Sequence, residues 1–225
     1  MNETFPSEER DVSVSILAKG AKLRGNLNVP ADARGLVLFA HGTGSGRHSP
    51  RNRYVASVLR EGGLATLLLD LLTDEEEAVD LRTRQLRFDI ELLAERLVAV
   101  TDWLRERPDT GTLGIGYFGA STGAGAALVA AARRPDAVGA VVSRGGRPDL
   151  ASAALPAVST PTLLIVGGHD LPVIEMNREA LAQLRVEKEL VIVPGATHLF
   201  EEPGTLEEVA RLARHWFERH LSPDR

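Results

Sequence analysis

Residues 113–123 read LGIGYFGASTG, and residues 122–134 continue as TGAGAALVAAARR. The first half is a short apolar run, the pattern of a strand buried on both faces. The second half is rich in alanine and reads as a helix. Between them stands Gly119-Ala120-Ser121-Thr122-Gly123, a G-x-S-x-G turn from strand to helix. Glycines two before and two after the serine remove side chains where strand and helix crowd each other. The serine then projects from the strand end, at the positive end of the helix dipole.

Outward from this unit, strand-like and helix-like segments alternate. That order predicts βαβ units around a mostly parallel sheet. Residues 11–18 and 22–29 predict two opening strands, paired antiparallel. Gly35 to Ala40 (GLVLFA) and Leu64 to Leu72 predict buried strands, with a helix from Ser49-Pro50 to about Gly62 between them. Leu86, Ile90, Leu93, Leu97, Val100 and Leu104 recur at intervals of four and three, one stripe on a long helix. Strands follow at Ala137 to Ser143, Pro161 to Gly167 and Glu189 to Val193, and a helix at Ile174 to Arg185. Thr205 and Glu208 have the spacing of a capping box for a closing helix. The expectation is one α/β domain over residues 1–225, with a loose segment at 1–10, about eight strands, and helices on both faces. Too few residues separate Leu72 from the long helix for a large lid, so the site is expected to be open, without a long tunnel.

Composition excludes several classes. The chain has 225 residues, no cysteine, and a formal net charge of −5. Disulfides and thiolate metal sites are therefore absent, and the whole chain has no nucleic-acid footprint. The start, MNETFPSEERDVSVSI, lacks the basic and apolar regions of a secretory signal. No apolar run reaches the ~18 residues that span a membrane. The expectation is a cytoplasmic protein with no membrane or nucleic-acid partner. No histidine pair has metal-ligand spacing, so neither a metal nor a cofactor is expected.

A serine hydroxyl is a weak nucleophile until a base takes its proton and a third group orients the base. Asp170 follows the strand PTLLIVGG and His198 follows ELVIVPG. Both fall where chains leave the carboxyl ends of strands, the usual place for a site in an open α/β sheet. Ser121 is the candidate nucleophile, His198 the base and Asp170 the orienting acid. Asp149 is the alternative acid, and Asp170 could instead cap the next helix. His169 is the competing base. The loop His41-Gly42-Thr43-Gly44-Ser45-Gly46 suits an oxyanion hole, with backbone donors from Thr43 and from Thr122. Its glycines also resemble a dinucleotide turn, with Asp70 ending the next strand, but G-x-G-x-x-G requires glycine at 47 and Arg47 stands there. Arg144, in the loop expected after Ser143, is a candidate contact for an anionic substrate. Its structural alternative is pairing with Asp149, Asp70 or the acidic run from Asp74.

Taken together, HGTGSGRHSPRN, GYFGASTGA, LLIVGGHD and PGATHLFEEPG resemble the dienelactone-hydrolase-like branch of the α/β-hydrolases, from about residue 11 to the end. The resemblance implies an α/β-hydrolase fold, with Ser121, Asp170 and His198 at the triad positions. One departure matters: dienelactone hydrolases use a cysteine nucleophile, and this chain has none. The resemblance therefore implies a small-molecule ester hydrolase working through an acyl-serine. The alternatives are acyl transfer on the same triad and a ligand-binding relative without turnover.

Overall fold

The structure, a computed structural model, describes residues 12–221. The loose segment expected at residues 1–10 lies outside the described residues. Eight strands form one sheet: β1 (Val12–Ala18), β2 (Ala21–Asn28), β3 (Leu36–Ala40), β4 (Ala65–Leu69), β5 (Ile115–Ala120), β6 (Val138–Arg144), β7 (Thr162–Gly167) and β8 (Lys188–Val193). Their spatial order is β1-β2-β4-β3-β5-β6-β7-β8. β1 and β2 pair antiparallel, β2 runs antiparallel to β4, and every later pair is parallel. This is the α/β-hydrolase fold.

Six helices cover the sheet: α1 (Pro50–Glu61), α2 (Asp74–Thr83), α3 (Ile90–Arg105), α4 (Thr122–Arg133), α5 (Leu171–Gln183) and α6 (Thr205–Leu221). β3, β4, β5 and β7 are buried throughout, as continuous apolar strands must be when helices lie on both faces. On one face Val55, Ala56 and Leu59 of α1 meet Val209, Ala213 and Phe217 of α6 over Phe39, Phe118 and Val142. On the other, Leu93, Leu97 and Val100 of α3 meet the alanines of α4 over Leu38, Tyr117 and Val141. Tyr117 and Thr101 share a buried hydroxyl contact at 2.6 Å that joins β5 to α3.

The strand order marks one crevice as the candidate site. Chain connections leave β3 in opposite directions, to β4 on one side and eventually to β5 on the other. The carboxyl ends of β3 and β5 therefore flank a crevice, the switch point at which open α/β sheets bind ligands. The glycine loop leaves β3 there, and Ser121 leaves β5.

Three local expectations need correction. The long helix begins at Ile90, with the Asp89 carboxylate accepting from Leu92 N–H; Leu86 lies in a separate 3₁₀ turn. The stripe extrapolated through this break because Leu86 keeps the helical spacing. The stretch after Leu72, expected to be too short to cover the site, forms the ten-residue helix α2. Its start is a capping box, in which Thr73 and Glu76 each cap the other's backbone N–H. The box expected at Thr205 and Glu208 does not form. Thr205 is already the first helical residue, and its hydroxyl donates to the Glu202 carbonyl.

Candidate active site

Ser121 sits at the apex of the β5–α4 turn with φ 50° and ψ −121°, a conformation that L-residues rarely hold. The flanking glycines explain how it is held. A Cβ on Gly119 would stand 2.4 Å from Ala124 Cα, and one on Gly123 would stand 2.2 Å from the Ala40 carbonyl oxygen. Both obstacles are backbone, so neither can swing aside. Gly42 gives the same clearance from the other side, since its Cβ would come within 2.9 Å of Ser121 Cβ. α4 can therefore start hard against the ends of β3 and β5, and its Ala124 N–H donates to the Ser121 carbonyl at 3.1 Å. Gly123→Ala is expected to push α4 off this position. Overpacking of this kind costs about 1–3 kcal/mol. In a chain of this size that lowers Tm by roughly 2–12 °C, which a thermal melt measures.

His198 and Asp170 meet across two loops. His198 Nδ1 lies 2.6 Å from Asp170 Oδ2. The carboxylate is largely buried, with 14% of the side chain exposed against 40% for the imidazole. Asp170 occupies the N-cap position of α5 but makes no capping bond, so its side chain is given to the histidine. The pairing puts the proton on Nδ1 and leaves Nε2 as acceptor. The loop carrying His198 is held by the His169 N–H donating to the Ala196 carbonyl at 2.9 Å and by Thr197 N–H donating to Glu202 at 3.0 Å. The rival base His169 points to solvent. The rival acid Asp149 is engaged by Arg147 at 2.7 and 2.9 Å.

The turn after β6 joins Ser121 to this pair. Ser121 N–H donates to the Arg144 carbonyl at 3.2 Å, and Arg147 N–H donates back to the Ser121 carbonyl at 3.0 Å. Gly145, with φ 50°, passes so close to His198 that a Cβ would lie 3.2 Å from its carbonyl oxygen and 3.5 Å from Nδ1.

The loop after β3 closes the crevice. His41 Nε2 accepts from Leu71 N–H at 3.0 Å, so its proton is on Nδ1, which donates to the Gly42 carbonyl at 2.9 Å. Burial pulls the pKa of this imidazole below its ordinary value. His41 thus supports the loop as a neutral ring. The Thr43 and Thr122 hydroxyls lie 3.2 Å apart, so the two proposed oxyanion donors share one corner. Asp70 accepts Arg47 N–H at 2.7 Å and also binds the Arg47 guanidinium. Its role is to anchor the glycine loop.

Sequence reading missed the helix that roofs this corner. A small cavity of about 40 Å³ lies between the loop and α2, lined by Thr43, Thr122, Leu71, Leu72, Leu81 and Leu93. α2 buries little of its own surface and is fastened by charge. Glu76 holds the buried Arg96 of α3, one contact at 2.7 Å, and Arg87 Nε reaches Asp80 at 2.5 Å. The available signal was Thr73-x-x-Glu76, a readable capping box.

Arg144 departs from expectation in two ways. It is the last residue of β6 rather than part of the loop. None of the pairings considered for it forms: Asp149 takes Arg147, Asp70 takes Arg47 and Asp74 takes Arg24. Among the described residues, no group of three or more acidic, histidine or cysteine side chains could hold a metal ion, and no helix is long and apolar enough to cross a membrane.

Comparison with known proteins adds the lineage. A crystal structure of a dienelactone hydrolase from Anabaena variabilis is 66% identical, covering 95% of this chain and 99% of that one, with a TM-score of 0.93. Est1E from Butyrivibrio proteoclasticus shares the fold at 18% identity, covering 92% of this chain and 98% of that one, with a TM-score of 0.77. A protein of Mycobacterium tuberculosis described as a putative phosphoribosyl transferase is 61% identical over 212 residues, which are 94% of this chain and 47% of that protein. The chain spans about half the length of the curated relatives it matches. The family model of the dienelactone hydrolases matches residues 32–222, most of the chain, and with this the lineage is clear: the chain belongs to the dienelactone hydrolase family.

Proposed function

We propose that the chain is a serine hydrolase that cleaves a carboxylic ester through an acyl-serine intermediate. The observation that carries this reading is the 2.6 Å contact between His198 and Asp170, beside the β6 turn in which the Arg144 carbonyl accepts the N–H of a strained Ser121 and Gly145 packs against His198. Ser121 Oγ attacks the ester carbonyl carbon and gives its proton to His198 Nε2. The carbonyl π pair moves to oxygen, where the backbone N–H groups of Thr43 and Thr122 stabilise the developing charge. As the carbonyl re-forms, the C–O bond to the alcohol breaks, and the alkoxide takes the proton from His198. Water then repeats the sequence on the acyl-serine: His198 removes its proton, the acid leaves, and Ser121 regains its hydrogen. Asp170 stays ionised throughout and steadies the imidazolium.

The phosphoribosyl transferase named for the mycobacterial relative describes a protein of which this chain matches 47%. That activity is not carried over, because the matched stretch is the one that holds Ser121, Asp170 and His198. The test is direct. A fluorophosphonate probe is expected to add one adduct, located at Ser121 by peptide mass analysis. An unlabelled wild-type protein with no turnover of p-nitrophenyl esters, thioesters or lactones would overturn the reading.

Substrate size follows from the roof. The cavity under α2 is small, about 40 Å³, and is lined by Thr43 and Thr122, which favours a short acyl group. p-Nitrophenyl acetate and butyrate are expected to turn over faster than the decanoate below its critical micelle concentration. The reverse order would show that the acyl chain lies elsewhere. Leu81, exposed on α2 and lining the same cavity, is the residue whose replacement by alanine should move the preference toward longer chains.

A further inference from the structure

Asp70 and Leu71, the two residues that follow β4, hold the glycine loop at both ends. The Asp70 carboxylate accepts Arg47 N–H at 2.7 Å, and Leu71 N–H donates to His41 Nε2 at 3.0 Å. Leu71 is held from its other side as well. Its carbonyl accepts from Arg96 Nη1 of α3 at 2.6 Å. The same Nη1 reaches one Glu76 oxygen of α2 at 2.7 Å, and Nη2 reaches the other, a two-point fork. Glu76 also accepts the Thr73 N–H at 2.8 Å, the bond that caps the start of α2.

At the far end of these contacts lies the Gly42–Thr43 peptide. His41 Nδ1 donates to the Gly42 carbonyl at 2.9 Å. The described peptide bonds are all trans, so the Thr43 N–H points away from that carbonyl and from His41. Gly42 itself lies against Ser121, where a Cβ would stand 2.9 Å from the serine Cβ. A turn of the His41 ring therefore re-aims the Thr43 N–H relative to the nucleophile.

Stability alone does not account for a cation here. The Arg96 side chain is 3% exposed against 29% for Glu76, and its Nε is buried without a partner. A neutral donor would satisfy one carbonyl without desolvating a charge. What the guanidinium adds is a rigid fork that meets the Leu71 carbonyl and the Glu76 carboxylate at once, in one geometry.

We propose that Arg96 is a positioning residue for the oxyanion hole: clamped by Glu76, it fixes Leu71, and through His41 and Gly42 it sets the direction of the Thr43 N–H. The helix that roofs the corner and the donor that stabilises its oxyanion are then fastened by one ion pair. The inference rests on the esterase reading, in which that N–H faces the developing charge.

The experiment compares wild type with Arg96→Met, Arg96→Lys and Glu76→Gln on p-nitrophenyl acetate, with rates expressed per Ser121 titrated to completion by the fluorophosphonate probe. Arg96→Met is expected to lower kcat/KM roughly 10- to 100-fold, the scale of a misplaced oxyanion donor. A trifluoromethyl ketone that forms a hemiketal with Ser121 puts a negative oxygen in the same hole, and its affinity should fall by the same factor. Arg96→Lys keeps a charged donor for the Leu71 carbonyl and should recover most of the loss. Glu76→Gln should give a smaller loss, again matched by the ketone, which keeps the test alive if Arg96→Met does not fold. A lower Tm with kcat/KM and ketone affinity both unchanged would overturn the proposal and leave Arg96 a structural cation. A fall in kcat/KM without a fall in ketone affinity would overturn it too, because the loss would then lie outside the oxyanion hole. Failure of the esterase reading looks different: wild type itself would neither label, turn over nor bind the ketone, and the role of Arg96 would fall with it.

Discussion

Ser121→Ala is expected to lower kcat on any ester by about 10⁴-fold or more, the usual cost of removing one member of a serine triad. The protein should stay folded. Alanine removes only a hydroxyl, and the crowding at this turn comes from Gly119, Gly123 and Gly42 rather than from the serine side chain. Tm should therefore move little, because alanine carries the same Cβ and the same strain at φ 50° as serine. The check is a melt beside initial rates on a short p-nitrophenyl ester. A folded variant that keeps more than a tenth of wild-type activity would remove Ser121 from the reaction.

Asp170→Asn separates the two candidate acids. Asp170 fixes His198 with its proton on Nδ1. An amide can present its NH₂ to the same nitrogen and stabilise the wrong tautomer, leaving Nε2 protonated and useless as a base. The expected loss in kcat is about 10⁴-fold, with KM little changed. Asp149→Asn removes instead a partly exposed ion pair with Arg147, worth about 0–1 kcal/mol to stability, and should leave the rate within a few-fold of wild type. Steady-state kinetics on both variants decide between them. Equal losses would mean that His198 is oriented by something other than Asp170.

The fold was legible because its strands carry continuous apolar runs and its switch between strand and helix at Ser121 is abrupt. Buried parallel strands leave that signature whatever their order in the sheet. Strand ends also marked Asp170 and His198, since loops at those ends face the crevice. What the sequence concealed was the fate of charges. Twenty-six basic and thirty-one acidic residues allow many pairings, and proximity in the chain is a poor guide to which form. Arg147 takes Asp149, two residues away, while Arg144, also close in sequence, receives nothing. α2 was hidden for a related reason. It lacks an apolar face, so hydrophobic periodicity passed over it, and the bonds that hold it run from Glu76 to an arginine twenty residues on.

The strand order has a consequence for how the molecule loses its competence. Ser121 leaves β5 in the middle of the sheet, but Asp170 and His198 leave β7 and β8 at its margin. Among the described residues β8 has one neighbour, and the apolar cluster joining it to α5 has only three buried members, Val166, Val173 and Ile174. Sub-global opening begins where protection is thinnest. Fraying of this margin would carry His198 and Asp170 away together while the central strands stayed protected. Inactivation and unfolding then become separate events, the first governed by the free energy of one edge and the second by that of the whole core.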